Sequence, residues 1–140
     1  MAFYVDSCIY LNLWKKEERG EVKFWKLAED FFKRVQKAEQ IIYISPFVMK
    51  ELSFRFDTNT LRYRLEEIRR SSIFENVEAS RDDYREARRL ESASGFEISF
   101  FDCMHMALAK RIGAILVTRD NKLLDFASGF CTVGRPENFR

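Results

Sequence analysis

The chain has 140 residues, 46% hydrophobic and 33% charged, which predicts one domain spanning residues 1–140 rather than two. Its 24 basic and 22 acidic residues nearly cancel, and the formal net charge of +2 excludes a histone-like polycation. Three cysteines without CxxC spacing suggest neither a disulfide framework nor a zinc site. There is no apolar run of the ~20 residues that cross a membrane and no signal-peptide pattern, so we expect a cytoplasmic protein.

Short apolar segments alternate with helical patterns along the chain. Strands are predicted at 2–5, 41–44 and 113–118, with weaker ones at 73–77 and 130–133. Helical patterns occupy 7–14, 21–39, 46–56, 60–71, 80–94 and 99–112. Continuous apolar strands are typical of a parallel sheet covered on both faces, and their alternation with helices favours right-handed crossovers. The pattern therefore predicts an α/β domain.

Four acidic side chains lie in or beside apolar segments: Asp6, Glu51, Asp102 and Asp120. Asp6 and Asp120 each follow a predicted strand, and the structural alternative for both is the N-cap of the next helix. Glu51 lies either at the edge of an apolar helix stripe or in a cleft. Asp102 lies on a helix that is apolar nearly all round, where a carboxylate needs a partner or a metal, unless it forms a capping box with Ser99.

Most of the remaining charge is typical of solvated helix faces. In the segments 62–70 and 81–91, acidic and basic residues are spaced three or four positions apart, as surface pairs are. Three basic residues near the four acids are candidates for holding phosphates: Lys50, Arg55 and Arg119.

The positions of the acids predict a site at one edge of the sheet. Ligands of open parallel sheets bind outside the carboxyl ends of the strands, where Asp6, Asp120 and the helix start at Ser45–Pro46 all fall. Converging carboxylates repel one another and raise their pKa values. Mg²⁺ or Mn²⁺ removes this repulsion, prefers oxygen ligands and keeps bound waters. Such a site activates water for attack on a phosphodiester.

Four segments, in this order, resemble the PIN domain family, the nuclease fold of VapC-type toxins in type II toxin-antitoxin pairs. They are the first strand with Asp6 and Ser7, Ile-Ser-Pro-Phe-Val-Met-Lys-Glu51-Leu, Asp102-Cys-Met-His-Met-Ala-Leu-Ala, and Gly113-Ala-Ile-Leu-Val-Thr-Arg-Asp120. The resemblance spans the chain. It implies a three-layer α/β/α sandwich with a five-stranded parallel sheet in the order 3-2-1-4-5, and metal-dependent cleavage of single-stranded RNA.

The resemblance also implies roles for individual residues. Asp6, Asp102 and Asp120 would bind Mg²⁺ or Mn²⁺, and Glu51 would complete the ring or orient the attacking water. Thr118 corresponds to a hydroxyl that the family often has before the last acid. Two further positions, Ser7 and Cys8, follow the first acid, and Cys8 stands where the family often has Asn or Ser.

His105 invites a catalytic interpretation, but a single histidine on an apolar helix face is usually a hydrogen-bonded core residue. We therefore expect it to pack or to support the acids. The aromatic side chains of the first third are expected in the core or in an interface, either with a second copy in a homodimer or with a helix of an antitoxin.

Two other functions are compatible with the sequence. The first is a PIN-fold module that binds RNA or protein without catalysis, and metal affinity distinguishes it from the nuclease. The second is a phosphatase-like enzyme with Asp6 as covalent nucleophile, which lacks the second Asp expected two residues later.

Overall fold

The structure, a computed structural model, describes residues 1–139. Its strands are β1 (Ala2–Val5), β2 (Glu18–Arg19), β3 (Val22–Lys23), β4 (Ile41–Ile44), β5 (Phe74–Asn76), β6 (Ile115–Val117) and β7 (Val133–Gly134). Five of them form a parallel sheet in the order β5-β4-β1-β6-β7. Counted within this sheet alone, the order is 3-2-1-4-5, which confirms the predicted topology.

Helices flank this sheet, as the predicted α/β architecture requires. They are α1 (Ser7–Trp14), α2 (Phe24–Lys37), α3 (Pro46–Ser53), α4 (Thr58–Arg70), α5 (Arg81–Ala93), α6 (Phe100–Ile112) and α7 (Asn121–Ala127), followed by a 3-10 turn (Pro136–Asn138). Helices α1 and α2 pack against each other, as do α5 and α6. Among residues 1–139 every helix is too short or too polar to span a membrane.

Two elements differ from the prediction. Strands β2 and β3 form a small antiparallel hairpin, whereas the helical pattern was predicted to begin at residue 21. The turn uses Gly20 at a φ of +62°, a conformation that glycine adopts without steric cost. Helix α7 was not among the predicted helical patterns, although the N-cap alternative for Asp120 implies a helix there, because its seven residues span only about two turns.

The core is built around β1, the central strand. Phe3, Tyr4 and Val5 are buried, and the Phe3 ring packs edge-to-face on Phe31 of α2 with their centroids 5.1 Å apart. On α6, every residue from 103 to 109 is buried. The nearly continuous apolar character of α6 therefore reflects burial on all its sides over two turns.

The sheet brings three chain segments to one edge. Because β1 lies between β4 and β6, the residues that follow these strands are neighbours. The Asp6 N–H donates to the Val117 carbonyl at 2.9 Å, which fixes the end of β1 against the end of β6. After β4, the Ser45 hydroxyl accepts from the Val48 N–H at 3.3 Å and caps α3. The loops that begin α1, α3 and α7 thus surround one region.

A buried ion pair fixes α5 against α6. Asp83 is 4% exposed, completes a capping box with Ser80, and accepts from Arg111 Nε at 2.9 and 3.0 Å. Burial alone raises the pKa of Asp83, but the hydrogen bonds from Arg111 and Ser80 outweigh it and lower the pKa below its ordinary value.

We expect Asp83→Ala to lower the free energy of unfolding by about 2 kcal/mol, because it removes both the cap and the partner of Arg111. Urea denaturation at pH 7 measures this loss. Since the folded pKa is lowered, the stabilisation is present above the ordinary pKa of an aspartate and is lost as the pH falls through the folded value. Asp82→Ala is the control, because Asp82 is exposed and its pair with Arg85 spans 3.4 Å. Equal effects of the two substitutions would contradict this account.

Candidate metal centre

Three carboxylates and one imidazole meet at the carboxyl end of the sheet. Asp6, Glu51, Asp102 and His105 each offer one ligand atom, and these atoms all lie within 4.8 Å of one another. Asp6 comes from the β1–α1 junction, Glu51 from α3, and the other two from consecutive turns of α6. The structure thus brings together three of the four predicted acids.

Asp6 has a structural role as well as a place in the cluster. It is 5% exposed and occupies the N-cap position of α1, where Oδ1 accepts from the Ser7 N–H at 2.7 Å. Its other oxygen, Oδ2, accepts from the Thr118 hydroxyl at 2.7 Å. The capping alternative and the cluster are therefore compatible, because Thr118 and Ser7 hold the carboxylate where it faces the other acids.

Cys8 occupies the space beside Asp6. Its Sγ lies 3.5 Å from Asp6 Oδ2 and 3.6 Å from Thr118 Oγ1. Burial, and then the negative charge of Asp6, raise the pKa of the Cys8 thiol well above its ordinary value. A protonated thiol can donate weakly to Asp6, so Cys8 supplies a polar contact at the position where the family often has Asn or Ser.

The capping box proposed for Asp102 is only half formed. The Ser99 hydroxyl accepts from the Asp102 N–H at 3.2 Å, but within residues 1–139 the carboxylate makes no return bond, in contrast to Asp83, whose carboxylate accepts from Ser80. Burial, and then the negative charge of Asp6, raise the pKa of Asp102 to about 7, although His105 acts in the opposite direction. A cation bound beside Asp102 would stabilise the ionised form of this carboxyl group.

Glu51 is held by His105. The His105 Nε2 lies 2.6 Å from Glu51 Oε1 and 3.7 Å from Asp6 Oδ1, and its Nδ1 lies 2.6 Å from the Tyr4 hydroxyl. Burial alone lowers the pKa of His105, but the hydrogen bond to Glu51 and the charge of Asp6 raise it overall. The imidazole is fully buried and supports the acids, in line with the role expected from the sequence.

Asp120 stands apart from this cluster. It is exposed and caps α7, where its Oδ1 accepts from the N–H groups of Lys122 at 2.9 Å and Leu123 at 3.2 Å. Its ligand atoms are not within 4.8 Å of all the others, yet its charge contributes to the raised pKa of Asp102. The N-cap alternative is observed, and the metal-binding role of Asp120 stays a prediction.

The donor set fits a hard divalent cation. His105 is engaged with Glu51 and Tyr4, so the available donors in the cluster are carboxylate oxygens. Three carboxylates with ligand atoms this close repel one another, and a divalent cation would offset that repulsion.

The basic residues near the site differ in their availability. Arg119 donates to both carboxylate oxygens of Glu137 at 2.8 and 2.9 Å and lies over the ring of Phe24 at 4.6 Å. Lys50 and Arg55 are exposed beside Glu51 in sequence. The pairing of Arg119 had no sequence signal, because its partner Glu137 comes 18 residues later, in the 3-10 turn.

The fold and the cluster together define an α/β protein with an acidic centre where the strand order reverses, the usual ligand position in such sheets. The sequence matches the PIN domain family over residues 3–128, and the chain belongs to this family. No curated protein matches the sequence.

Solved structures with the same fold cover nearly the whole chain. One is the structure of VapBC2 from Rickettsia felis bound to a DNA fragment from the VapBC2 promoter. It has 18% sequence identity and a TM-score of 0.70, and the match covers 96% of this chain and 98% of that chain. A toxin-antitoxin complex from Klebsiella pneumoniae has 18% identity and a TM-score of 0.68, with coverages of 96% and 97%. FitAcB from Neisseria gonorrhoeae has 17% identity and a TM-score of 0.67, with coverages of 99% and 100%. These similarities confirm the fold.

Proposed function

We propose that this protein is a metal-dependent endoribonuclease that cleaves single-stranded RNA and acts as the toxin of a type II toxin-antitoxin pair in the cytoplasm. The observation that carries the proposal is the convergence of Asp6, Glu51 and Asp102 at the carboxyl edge of a PIN-family sheet. The raised pKa of Asp102 supports it, because strongly perturbed carboxyl groups in a polar cluster are typical of functional sites.

Each acid has a proposed role. Asp6, Asp102 and Asp120 would hold Mg²⁺ or Mn²⁺, and Glu51 would complete the ring or orient the attacking water. The bound cation would supply an activated water and stabilise the charge that develops on the phosphodiester. Thr118 would keep Asp6 oriented through its 2.7 Å hydrogen bond.

Two exposed cations beside the acids would hold the RNA. Lys50 lies on α3 and Arg55 follows its end, both are exposed, and neither has an ion pair among residues 1–139. Cations at such a rim attract the phosphate backbone regardless of sequence, so the affinity for RNA should fall as salt rises. Arg119 is a weaker candidate, because Glu137 already neutralises it.

The proposal predicts cleavage that depends on the cation. Metal-free protein incubated with a labelled pool of single-stranded RNA should produce fragments on addition of Mn²⁺ or Mg²⁺, and excess EDTA should stop the reaction. A single-stranded DNA pool of the same sequences tests whether the protein cleaves RNA in preference to DNA. Binding of RNA without cleavage at millimolar Mn²⁺ would instead support the alternative, a catalytically inactive PIN-fold binding module.

An antitoxin is the proposed protein partner. One of the structural neighbours is described as a toxin-antitoxin complex. On this chain a cleft of about 250 Å³ lies between α1, α2, α4 and β5. Its lining includes the half-buried aromatic residues Trp14, Phe32 and Phe74. An apolar face of an antitoxin helix would bury these rings, which is the interface role expected for the aromatic first third of the sequence.

We also propose a homodimer. The Phe47 ring of α3 contacts Tyr84 of α5 and Phe101 of α6, with ring centroids 5.9 and 5.3 Å apart, and Tyr84 is 47% exposed. A partly exposed aromatic cluster of this kind is typical of an interface between protein chains.

A further inference from the structure

A chain of hydrogen bonds runs from the sheet to the acidic cluster. The Tyr4 hydroxyl lies 2.6 Å from Ser45 Oγ and 2.6 Å from His105 Nδ1, and His105 Nε2 lies 2.6 Å from Glu51 Oε1. Tyr4 and His105 are both fully buried. Tyr4 precedes Asp6 by two residues on an extended segment, so both side chains lie on the same side of the sheet.

The chemistry of the groups fixes the direction at one end of this chain of hydrogen bonds. The Glu51 carboxylate only accepts, so His105 Nε2 must donate to it. His105 Nδ1 and the Tyr4 hydroxyl share the next hydrogen bond, and the Tyr4 and Ser45 hydroxyls share the one after it. Ser45 Oγ also accepts from the Val48 N–H. Both ring nitrogens of His105 are therefore engaged in either protonation state of the imidazole.

This arrangement constrains a side chain that would otherwise be mobile. Glu51 is half-buried on the short helix α3 and has three rotatable side-chain bonds. The imidazole that holds it cannot turn without breaking its bond to Tyr4, because both ring nitrogens are engaged. One carboxylate oxygen is therefore fixed by His105, and the other remains for the cluster.

We propose that Tyr4 and His105 are positioning residues for Glu51, and that Tyr4 acts on the bound cation through His105 without touching the cation. This inference rests on the proposed metal-dependent function. Groups that orient metal ligands typically contribute about 10- to 100-fold to metal affinity.

The test is a double-mutant cycle on metal-free protein titrated with Mn²⁺ by calorimetry. Tyr4→Phe removes only the hydroxyl and should weaken Mn²⁺ binding about 10-fold. In a Glu51→Gln background the same substitution should have little further effect, because the residue through which Tyr4 acts is already altered. A loss of equal size in both backgrounds would overturn the proposal and indicate a general structural effect.

Tyr10→Phe is the matched control. Tyr10 is 1% exposed, and among residues 1–139 its hydroxyl has no hydrogen-bond partner. Its removal should leave Mn²⁺ affinity unchanged. Unchanged affinity in Tyr4→Phe as well would overturn the positioning role alone, whereas a wild-type protein that does not bind Mn²⁺ would overturn both this role and the proposed nuclease.

Substitutions of His105 test the second step independently. The amide of Gln can place a donor close to the position of Nε2, whereas Met of similar length cannot donate. We expect His105→Gln to retain more Mn²⁺ affinity than His105→Met, with far-ultraviolet circular dichroism to confirm that each variant is folded. Equal losses in the two variants would contradict a role of His105 as the donor to Glu51.

Discussion

Asp102→Asn is expected to make the metal-free protein more stable at pH 8, by about 2 kcal/mol. Burial and the charge of Asp6 raise the pKa of Asp102 to about 7 in the folded protein. Its pKa in the unfolded chain is about 4, so the stability of the metal-free protein falls as the pH rises between about 4 and 7. One pKa unit corresponds to about 1.4 kcal/mol, and solvent screening reduces the full value. Asparagine carries no charge and avoids this cost.

Urea denaturation in EDTA at pH 5 and pH 8 measures this effect. The advantage of Asp102→Asn should be larger at pH 8, where the wild-type carboxylate is ionised. Asp82→Asn is the control, because Asp82 lies in the first turn of the neighbouring helix but is exposed. A variant that is less stable than wild type at pH 8 would show that the carboxylate is a structural partner, as in the capping-box alternative.

The same variant should lose its response to metal. A ligand at 100 times its dissociation constant stabilises a protein by about 2.7 kcal/mol, so millimolar Mn²⁺ should raise the melting temperature of the wild type. Asp102→Asn should show little or no increase. Without metal, Asp102→Asn should therefore be more stable than the wild type, and with saturating Mn²⁺ the difference should shrink or reverse. A purely structural carboxylate would not produce this change.

The elements that the sequence predicted well have strong local signals. Strands β1 and β4 are continuous apolar runs, and Ser45–Pro46 combines an N-cap with the residue favoured at the first helical position. The hairpin of β2 and β3 has no such signal, because its four strand residues are all exposed and three are charged. Its formation depends on the turn at Gly20.

The acids were found because each is an exception in an apolar context, and His105 was expected to pack or to support them, but the pairing of His105 with Tyr4 was not predicted. Tyr4 and His105 are 101 residues apart and meet only when β1 packs against α6. Asp83 lies in a segment predicted as a solvated face. That prediction describes the exposed pairs of Arg85 with Asp82 and of Arg89 with Glu86, but not the buried Asp83. Helical spacing alone does not reveal which member of a charged run faces a neighbouring helix.

Asp6→Asn is expected to reduce RNA cleavage by about 10³-fold or more while preserving the fold. Asparagine can still accept from the Ser7 N–H through its oxygen, and its Nδ2 can donate to the Thr118 hydroxyl oxygen, so the cap of α1 and the link to Thr118 are retained with the second hydrogen bond reversed. What it removes is one negative charge of the cluster, the one that contributes most among the neighbouring charges to the raised pKa of Asp102. A bound cation contributes several kcal/mol to phosphodiester cleavage, and each 1.4 kcal/mol is tenfold in rate, so loss of the cation accounts for an effect of about this size.

Asp57→Asn makes the same chemical change at another helix N-terminus. Asp57 caps α4 by accepting from the Thr60 N–H and hydroxyl, both at 2.8 Å, and is exposed outside the cluster. Cleavage assays with Mn²⁺ and calorimetric titrations should therefore leave Asp57→Asn at the wild-type level. If Asp6→Asn cleaves RNA as the wild type does, Asp6 serves only as a cap, and the charge that holds the cation must come from the other acids. If Asp6→Asn unfolds, the negative charge itself is needed to hold α1, because the hydrogen bonds alone survive the substitution.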